Sequence, residues 1–386
     1  MQELQNEKRH IVVNESFCCG CLACEAVCAQ HAITMKENEK GFILPSVDES
    51  KCVNCGLCTK VCNFTKEKVN DSNILSAFSL VVNEDEVLKK STSGGAFTVL
   101  SDYVLKDGGA IVGSVMQNDF SVEHIIAENV ADRNRMRGSK YVQSNTQGVF
   151  PKVKTMLQNG RKVLFSGTPC QCAALQSFLG KEYDNLIVVD FLCHGVPNNR
   201  LFKDHIAYLE QQYGKKIVAY SFRDKLYGWD SYNNVAVLNN GRQKSRWINQ
   251  AYYKFFVRDF SLREACHHCL YRSMHRPADI TIGDFWGIDK LTGIKNNKGV
   301  SLVLVHSQKG RDLLDNARCN CAIAEFPIAK ISHHIALVPS KPNKNREQFW
   351  KLYETKGYEA IVSRYFSNSV KDRIFHEIRK LVKRWK

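Results

Sequence analysis

Nine of this chain's sixteen cysteines fall in two short runs, and eight of them share one spacing. Cys18, Cys21, Cys24 and Cys28 stand in the spacing C-x2-C-x2-C-x3-C, and Cys52, Cys55, Cys58 and Cys62 repeat it 34 residues later. Thiolates this close together can converge on one soft centre, a zinc ion or an iron–sulfur cluster. Zinc sites favour two C-x2-C pairs separated by a longer loop. Three cysteines within seven residues instead suit one face of a [4Fe–4S] cubane. Disulfides would need an oxidising compartment. The polar N-terminus MQELQNEKRH has no apolar signal core, and no apolar run reaches the ~18 residues of a spanning helix. A reducing, cytoplasmic setting is therefore expected.

The spacing resembles that of the bacterial two-cluster ferredoxins, in which the fourth cysteine of each run ligates the other run's cluster. The resemblance implies one cluster on Cys18, Cys21, Cys24 and Cys62, and a second on Cys52, Cys55, Cys58 and Cys28. The proline that usually follows the fourth cysteine is replaced by Ala29 and Asn63. Cys19 is left over and is expected to pack nearby. Between the runs, extended segments at 33–35 and 42–47 flank a polar turn at 38–41, as a hairpin requires.

A second thiol set lies further on. Cys170 of GTPC, Cys193 of FLCHG, and the Cys266–Cys269 pair of CHHC could form a four-thiolate site. Such a site suits a third [4Fe–4S] cluster or a zinc ion. Cys170 and Cys193 follow the ends of expected strands, where parallel α/β sheets gather their ligands. His194, His267 and His268 could serve as ligands too, although packing or surface roles are plainer. In STSGGAF, the hydroxyls of Ser91 and Ser93 and the glycines Gly94 and Gly95 open an expected helix. They would offer backbone N–H groups and a favourable dipole to a phosphate; a capped helix with a pliant start would read the same. RMRGSKYVQS adds Arg135, Arg137 and Lys140 around a turn at Gly138.

These residues need elements to position them. With 386 residues, 44% of them hydrophobic and 24% charged, the chain is globular and long enough for two or three domains. After a polar bridge at 66–73, apolar runs alternate with helical patterns. SAFSLVV, AIVGSVM, RKVLFS, NLIVVDF, ADITIGD and GVSLVLV read as strands; the segments after STSGG, GTP and HSQ read as helices. The expected fold is α/β. A ferredoxin-like two-cluster domain spans 1–72, an α/β body with a mostly parallel or mixed sheet spans 73–340, and a helical basic extension spans 341–386. No G-x-G-x-x-G follows a strand, so an ordinary dinucleotide fold is not indicated.

Taken together and in order, STSGGAF, GSKYVQS, FSGTPCQCAAL, VVDFLCHGVP, CHHC and ADITIGDFWG resemble the family of coenzyme F420 hydrogenase/dehydrogenase beta subunits over residues 75–310. The resemblance implies an FAD-binding α/β domain with a cluster beside the flavin, and relatives that reduce deazaflavin, a chlorophyll precursor or other acceptors. It places the body cluster on Cys170, Cys193, Cys266 and Cys269. It makes Ser91, Ser93, Gly94, Gly95, Ser139, Lys140 and Asp284 of GDFWG candidates for holding FAD. Lys140 is also the candidate catalytic residue, able to stabilise negative charge on reduced flavin or to grip a phosphate. Cys172, Cys319 and Cys321 read as ordinary thiols. The implied activity is an iron–sulfur flavoprotein oxidoreductase. Single electrons from a ferredoxin-like donor would reach FAD for two-electron reduction of a small-molecule or cofactor acceptor. The alternative is an electron-transfer subunit of a larger dehydrogenase complex.

The net charge of +15 invites an anionic partner. In the tail VKDRIFHEIRKLVKRWK, Ile374, Ile378, Leu381, Val382 and Trp385 share one helical face among seven basic residues. That suits peripheral contact with an anionic membrane face, or docking of the stripe on the body. A nucleic-acid-binding protein with structural clusters is a third reading. It is not expected, because the positive residues gather in the tail rather than interleaving with aromatics.

Overall fold

The computed structural model describes residues 10–11, 14–65, 69, 71–293, 296–331, 338–366, 374 and 378. Each cysteine run winds through two left-handed residues into a single helical turn. Gly20 (φ 63°) and Leu22 (φ 65°) precede the turn Ala23–Ala26; Asn54 (φ 53°) and Gly56 (φ 74°) precede Leu57–Lys60. The left-handed conformation reverses the chain over few residues, so thiols three apart can face inward. Between the runs, β1 (Ile33–Glu37) and β2 (Ile43–Val47) pair antiparallel as the expected hairpin.

The body carries β3 (Ser76–Val82), β4 (Ala110–Met116), β5 (Val122–Ala127), β6 (Val163–Ser166) and β7 (Leu186–Phe191). β8 (Ile217–Asp224), β9 (Asn233–Leu238), β10 (Gln243–Lys244), β11 (Ile280–Asp284), β12 (Ser301–Val305) and β13 (Cys321–Phe326) follow. Eight strands form one sheet in the order β13-β3-β12-β11-β7-β6-β4-β5. β4, β6, β7 and β11 are parallel neighbours, whereas β12, β3, β13 and β5 join antiparallel. The sheet is therefore mixed, with a parallel centre.

Alternation along the central strands feeds two cores. Val163 and Phe165 pack with helices Val149–Gln158 and Pro169–Leu179, while Leu164 packs with Ala96–Lys106 and Gln308–Ala317. Burial on both faces is why these strands read as unbroken apolar runs. β5, β8–β10 and β13, by contrast, were not among the strands expected from sequence. His124 interrupts β5, and the exposed Ala322, Ala324 and Glu325 dilute the edge strand β13. β8–β10 make a separate antiparallel sheet.

That small sheet packs with helices Asn199–Tyr213, Gln250–Val257 and Arg346–Tyr365 in a third core. Phe42 of the N-terminal hairpin joins it, edge-on to the buried Trp350 at 5.7 Å between ring centres. The cluster-bearing lobe and the body thus share apolar packing. The residues 346–366 belong to this core rather than projecting from it. The basic stripe expected at 370–386 lies outside the described residues except for Ile374 and Ile378, which are exposed. No helix among the described residues is long and apolar enough to cross a membrane.

Candidate functional site

Cys62 of the second run joins the first. Cys24 lies within electrostatic reach of Cys21, Cys18 and Cys62, and Cys18 of Cys21 and Cys62. Cys18, Cys21, Cys24 and Cys62 line one cavity of about 140 Å³, closed by Phe17, Met35 and Pro45, with Cys19 and Cys170 on its wall. In this inner set Cys24 is buried and Cys18, Cys21 and Cys62 are half-buried. The outer set is more open: Cys55 is exposed and Cys28 and Cys52 are half-buried. Only Cys58 is buried, accepting a hydrogen bond from Ile11 N at 3.2 Å.

The body thiols come together through three loops. Thr168 caps helix Pro169–Leu179 with a reciprocal bond to Gln171, Pro169 fills the first helical position, and Cys170 follows in the first turn. Thr168 Oγ1 lies 3.1 Å from Cys170 Sγ. The GTPC motif is therefore a helix start that aims a thiol. Cys193 follows the end of β7. Gly195 (φ 146°) lets its loop close on the next: a Cβ there would sit 2.9 Å from Leu262 Cδ1 and 3.2 Å from Cys266 Cβ. Val196 N donates to Cys266 Sγ at 3.4 Å. Cys193 feels Cys266, Cys170 and Cys269 together.

Burial pushes the thiols of Cys18, Cys24, Cys193, Cys266 and Cys269 up, Cys266 to about 12. Such groups stay protonated unless a positive centre takes the proton's place, and iron does this. The donor sets thus fit clusters. Among the described residues, no three His, Cys, Asp or Glu side chains converge closely enough to hold a single metal ion. The neighbouring histidines are engaged elsewhere. His194 pairs with Asp259 at 2.9 Å, His267 Nδ1 bonds Ser340 O at 2.8 Å, and His268 packs against Phe17.

Cys19, expected only to pack, joins the inner and body sets. Its thiol lies within hydrogen-bonding reach of both Cys21 and Cys170, and that contact lowers Cys170 to about 7. The backbone around it is clamped by the body. Gln143 Nε2 donates to Cys19 O and Gly20 O, each at 3.2 Å, Thr146 Oγ1 to Cys21 O at 2.9 Å, and Arg263 Nη1 to Cys18 O at 3.0 Å.

The second candidate region lies where the Ser91–Gly95 loop meets the Ser139–Lys140 turn. Thr92 Oγ1 accepts from Ser139 N at 2.8 Å and ties the two together. Ser91 Oγ donates to Val87 O, Ser93 Oγ to Val300 O, and Gly94 N to Ser301 Oγ. The loop's polar groups are thus engaged within the protein. Gly94 is required by packing, since a Cβ would stand 2.0 Å from Leu80 O. Lys140 Nζ donates to the carbonyls of Met136, Gly138 and Arg137 at 2.9, 3.0 and 3.2 Å, and burial lowers it to about 7. Asp284 accepts from Arg223 Nη1 at 2.9 Å and Trp229 Nε1 at 2.8 Å.

Arg223 was missed in the sequence. It is 8% exposed, and its Nη2 has no partner among the described residues. The guanidinium lies 4.7 Å from the Tyr232 ring and 5.3 Å from Trp286, which stacks on Trp229 at 4.3 Å. Lys225, donating to Leu88 O and Ser93 O, is lowered by burial to about 8. A buried guanidinium with a spare donor beside stacked aromatics can hold a planar, anionic group. The donors fit a flavin in that sense. The signal in the sequence was the mixture of cations and aromatics in FRDKLYGWDSY.

Residues 160–330 match the family described as the C terminus of the coenzyme F420 hydrogenase/dehydrogenase beta subunit, and residues 17–65 match "4Fe-4S dicluster domain". The chain is similar to one of the subunits of F(420)H(2) dehydrogenase from Methanosarcina mazei, 20% identical over 365 residues, covering 90% of this chain and 96% of the relative. It is also similar to a chain of the F420-reducing [NiFe] hydrogenase complex from Methanosarcina barkeri. That match has 18% identity, a TM-score of 0.46, and covers 76% of this chain and 93% of the other. The chain thus carries an N-terminal 4Fe-4S dicluster domain, and its residues 160–330 are similar to the C terminus of the coenzyme F420 hydrogenase/dehydrogenase beta subunit.

Proposed function

We propose that the chain is an iron–sulfur electron-transfer subunit of an oxidoreductase assembly. The observation that carries this reading is the convergence of Cys170, Cys193, Cys266 and Cys269 beside the inner ferredoxin set. Three thiol sets in series suit three [4Fe–4S] clusters, which supply one-electron transfer when bound. The subunit reading is preferred to a self-sufficient reductase, because the relative matched along nearly its whole length is itself a subunit.

FAD is proposed for the region framed by Ser91, Ser93, Gly94, Gly95, Ser139, Lys140 and Asp284; Arg223, which bonds Asp284, and the Tyr232 and Trp286 rings beside it are proposed with them. When bound, a flavin supplies the exchange between single electrons and an electron pair. Asp284 and Trp229 fix Arg223, whose free Nη2 would meet an anionic edge of the ring or a phosphate. Lys140 keeps its amine on its own turn, so its part is to shape that turn. An F420-like planar acceptor is the proposed partner molecule. Anaerobic purification with iron, sulfide and flavin analysis tests the reading. About twelve irons and one FAD per chain are expected; a flavin-free protein that binds RNA tightly would contradict it.

A further inference from the structure

Arg263 occupies an unusual position. It is 2% exposed, yet no carboxylate pairs with it among the described residues. Its donors go to Cys18 O at 3.0 Å, Ile43 O at 2.9 Å and the Gln143 amide oxygen at 2.7 Å. All of these are neutral acceptors. The acid next to it in sequence, Glu264, is taken by Arg346 at 2.7 Å. A buried charge without a counter-charge is costly. The thiols within electrostatic reach of Arg263 are those of Cys18, Cys170 and Cys266, which would bring negative charge to it as cluster ligands; Glu15 and Glu264 line the same pocket but are not paired with it. The three thiols belong to two different sets, and Cys19 bridges those sets. Gly20 allows the close approach, since a Cβ there would lie 2.8 Å from Arg263 Nη2.

We propose that Arg263 is the shared counter-cation of two neighbouring clusters, one on Cys18, Cys21, Cys24 and Cys62 and one on Cys170, Cys193, Cys266 and Cys269. The inference rests on the iron–sulfur reading above. A cluster held by four thiolates is negatively charged, and one added electron makes it more so. A buried guanidinium therefore stabilises the reduced form and raises the potential. The outer set on Cys28, Cys52, Cys55 and Cys58 contributes none of the thiols that Arg263 reaches and is partly open to water. With clusters bound, Arg263 would make the inner and body sets easier to reduce than the outer set. No bond forms or breaks, and no proton needs to move.

The test is an EPR-monitored redox titration of the full, anaerobically loaded chain, comparing wild type with Arg263→Gln, Arg263→Lys and Gln143→Glu. Arg263→Gln lowers two of the three midpoint potentials and leaves the third in place, while Arg263→Lys, which keeps the charge, restores them towards wild type. Gln143→Glu sets a carboxylate against the guanidinium with little change in volume, so it lowers the same two midpoints even if the glutamine variant at 263 loads poorly. Unchanged midpoints in Gln143→Glu, or an equal shift of all three, overturn the proposal. Wild-type protein without iron and sulfide would instead overturn the cluster reading beneath it.

Discussion

The two cysteine runs have the same spacing and the same left-handed turns, but different surroundings. The first is pressed against the body by Gln143, Thr146 and Arg263, and its cavity reaches Cys170. The second keeps Cys55, Val53 and Leu57 exposed. A repeat in sequence therefore encodes two equivalent ligand cradles, and only the docking decides which cradle faces inward. That asymmetry gives the lobe an outer side with exposed residues and an inner side joined to the body thiols.

The comparison can be broken most severely by removing a ligand on one side at a time. Cys266→Ala should lose the body cluster and about four of about twelve irons, leaving two ferredoxin-type signals. Cys55→Ala should lose the outer signal and leave the body signal in place. Iron analysis with EPR on both variants separates these outcomes; loss of all three clusters in either would mean that the lobes are not independent cradles.

Acid should next distinguish the body from the lobe. Burial holds His124 at about 4 and His205 and His306 at about 3, below the ordinary 6.5, whereas His31 in the lobe is exposed. The folded body refuses protons that the unfolded chain accepts below 6.5, so stability is full above that pH and falls as pH drops. Each histidine costs ~1.4 kcal/mol per pH unit, or about 4 kcal/mol together by pH 5.5. Chaotrope melts at pH 7 and 5.5 measure this; a flat profile would show that these histidines are not held neutral.

The smallest test compares matched turn residues. Gly20→Ala meets both a left-handed backbone and the side chains of Gln143 and Arg263, at 2.6 and 2.8 Å. It should cost roughly 2–3 kcal/mol. Asn54→Ala, at the equivalent turn of the outer run, should cost only about 1 kcal/mol. Equal losses would mean that docking does not distinguish the two runs.

What was legible in the sequence followed the range of the interactions. The cysteine runs and the hairpin are local, and their spacing alone marks them. The central strands β4, β6, β7 and β11 announce themselves through burial on both faces. The body thiols could be grouped in advance from the C-x2-C pair and two strand-end cysteines, with zinc and iron–sulfur left open until the family resemblance; the closure itself was not legible, because loops more than seventy residues apart must meet around Gly195. Arg223 and Arg263 were hard to read for a different reason. The mixture of cations and aromatics around Arg223 was a weak signal, and nothing in the sequence separates the buried Arg263 from the many surface arginines in a chain of this charge. Cys19 likewise looked surplus until docking brought Cys170 to it.

Anaerobic iron and sulfide determination with low-temperature EPR of the reduced full chain tests the central claim most directly. The account predicts about twelve irons with matching sulfide, resolved as three [4Fe–4S] centres. Zinc in place of iron, or a reduced protein without cluster signals, would contradict it.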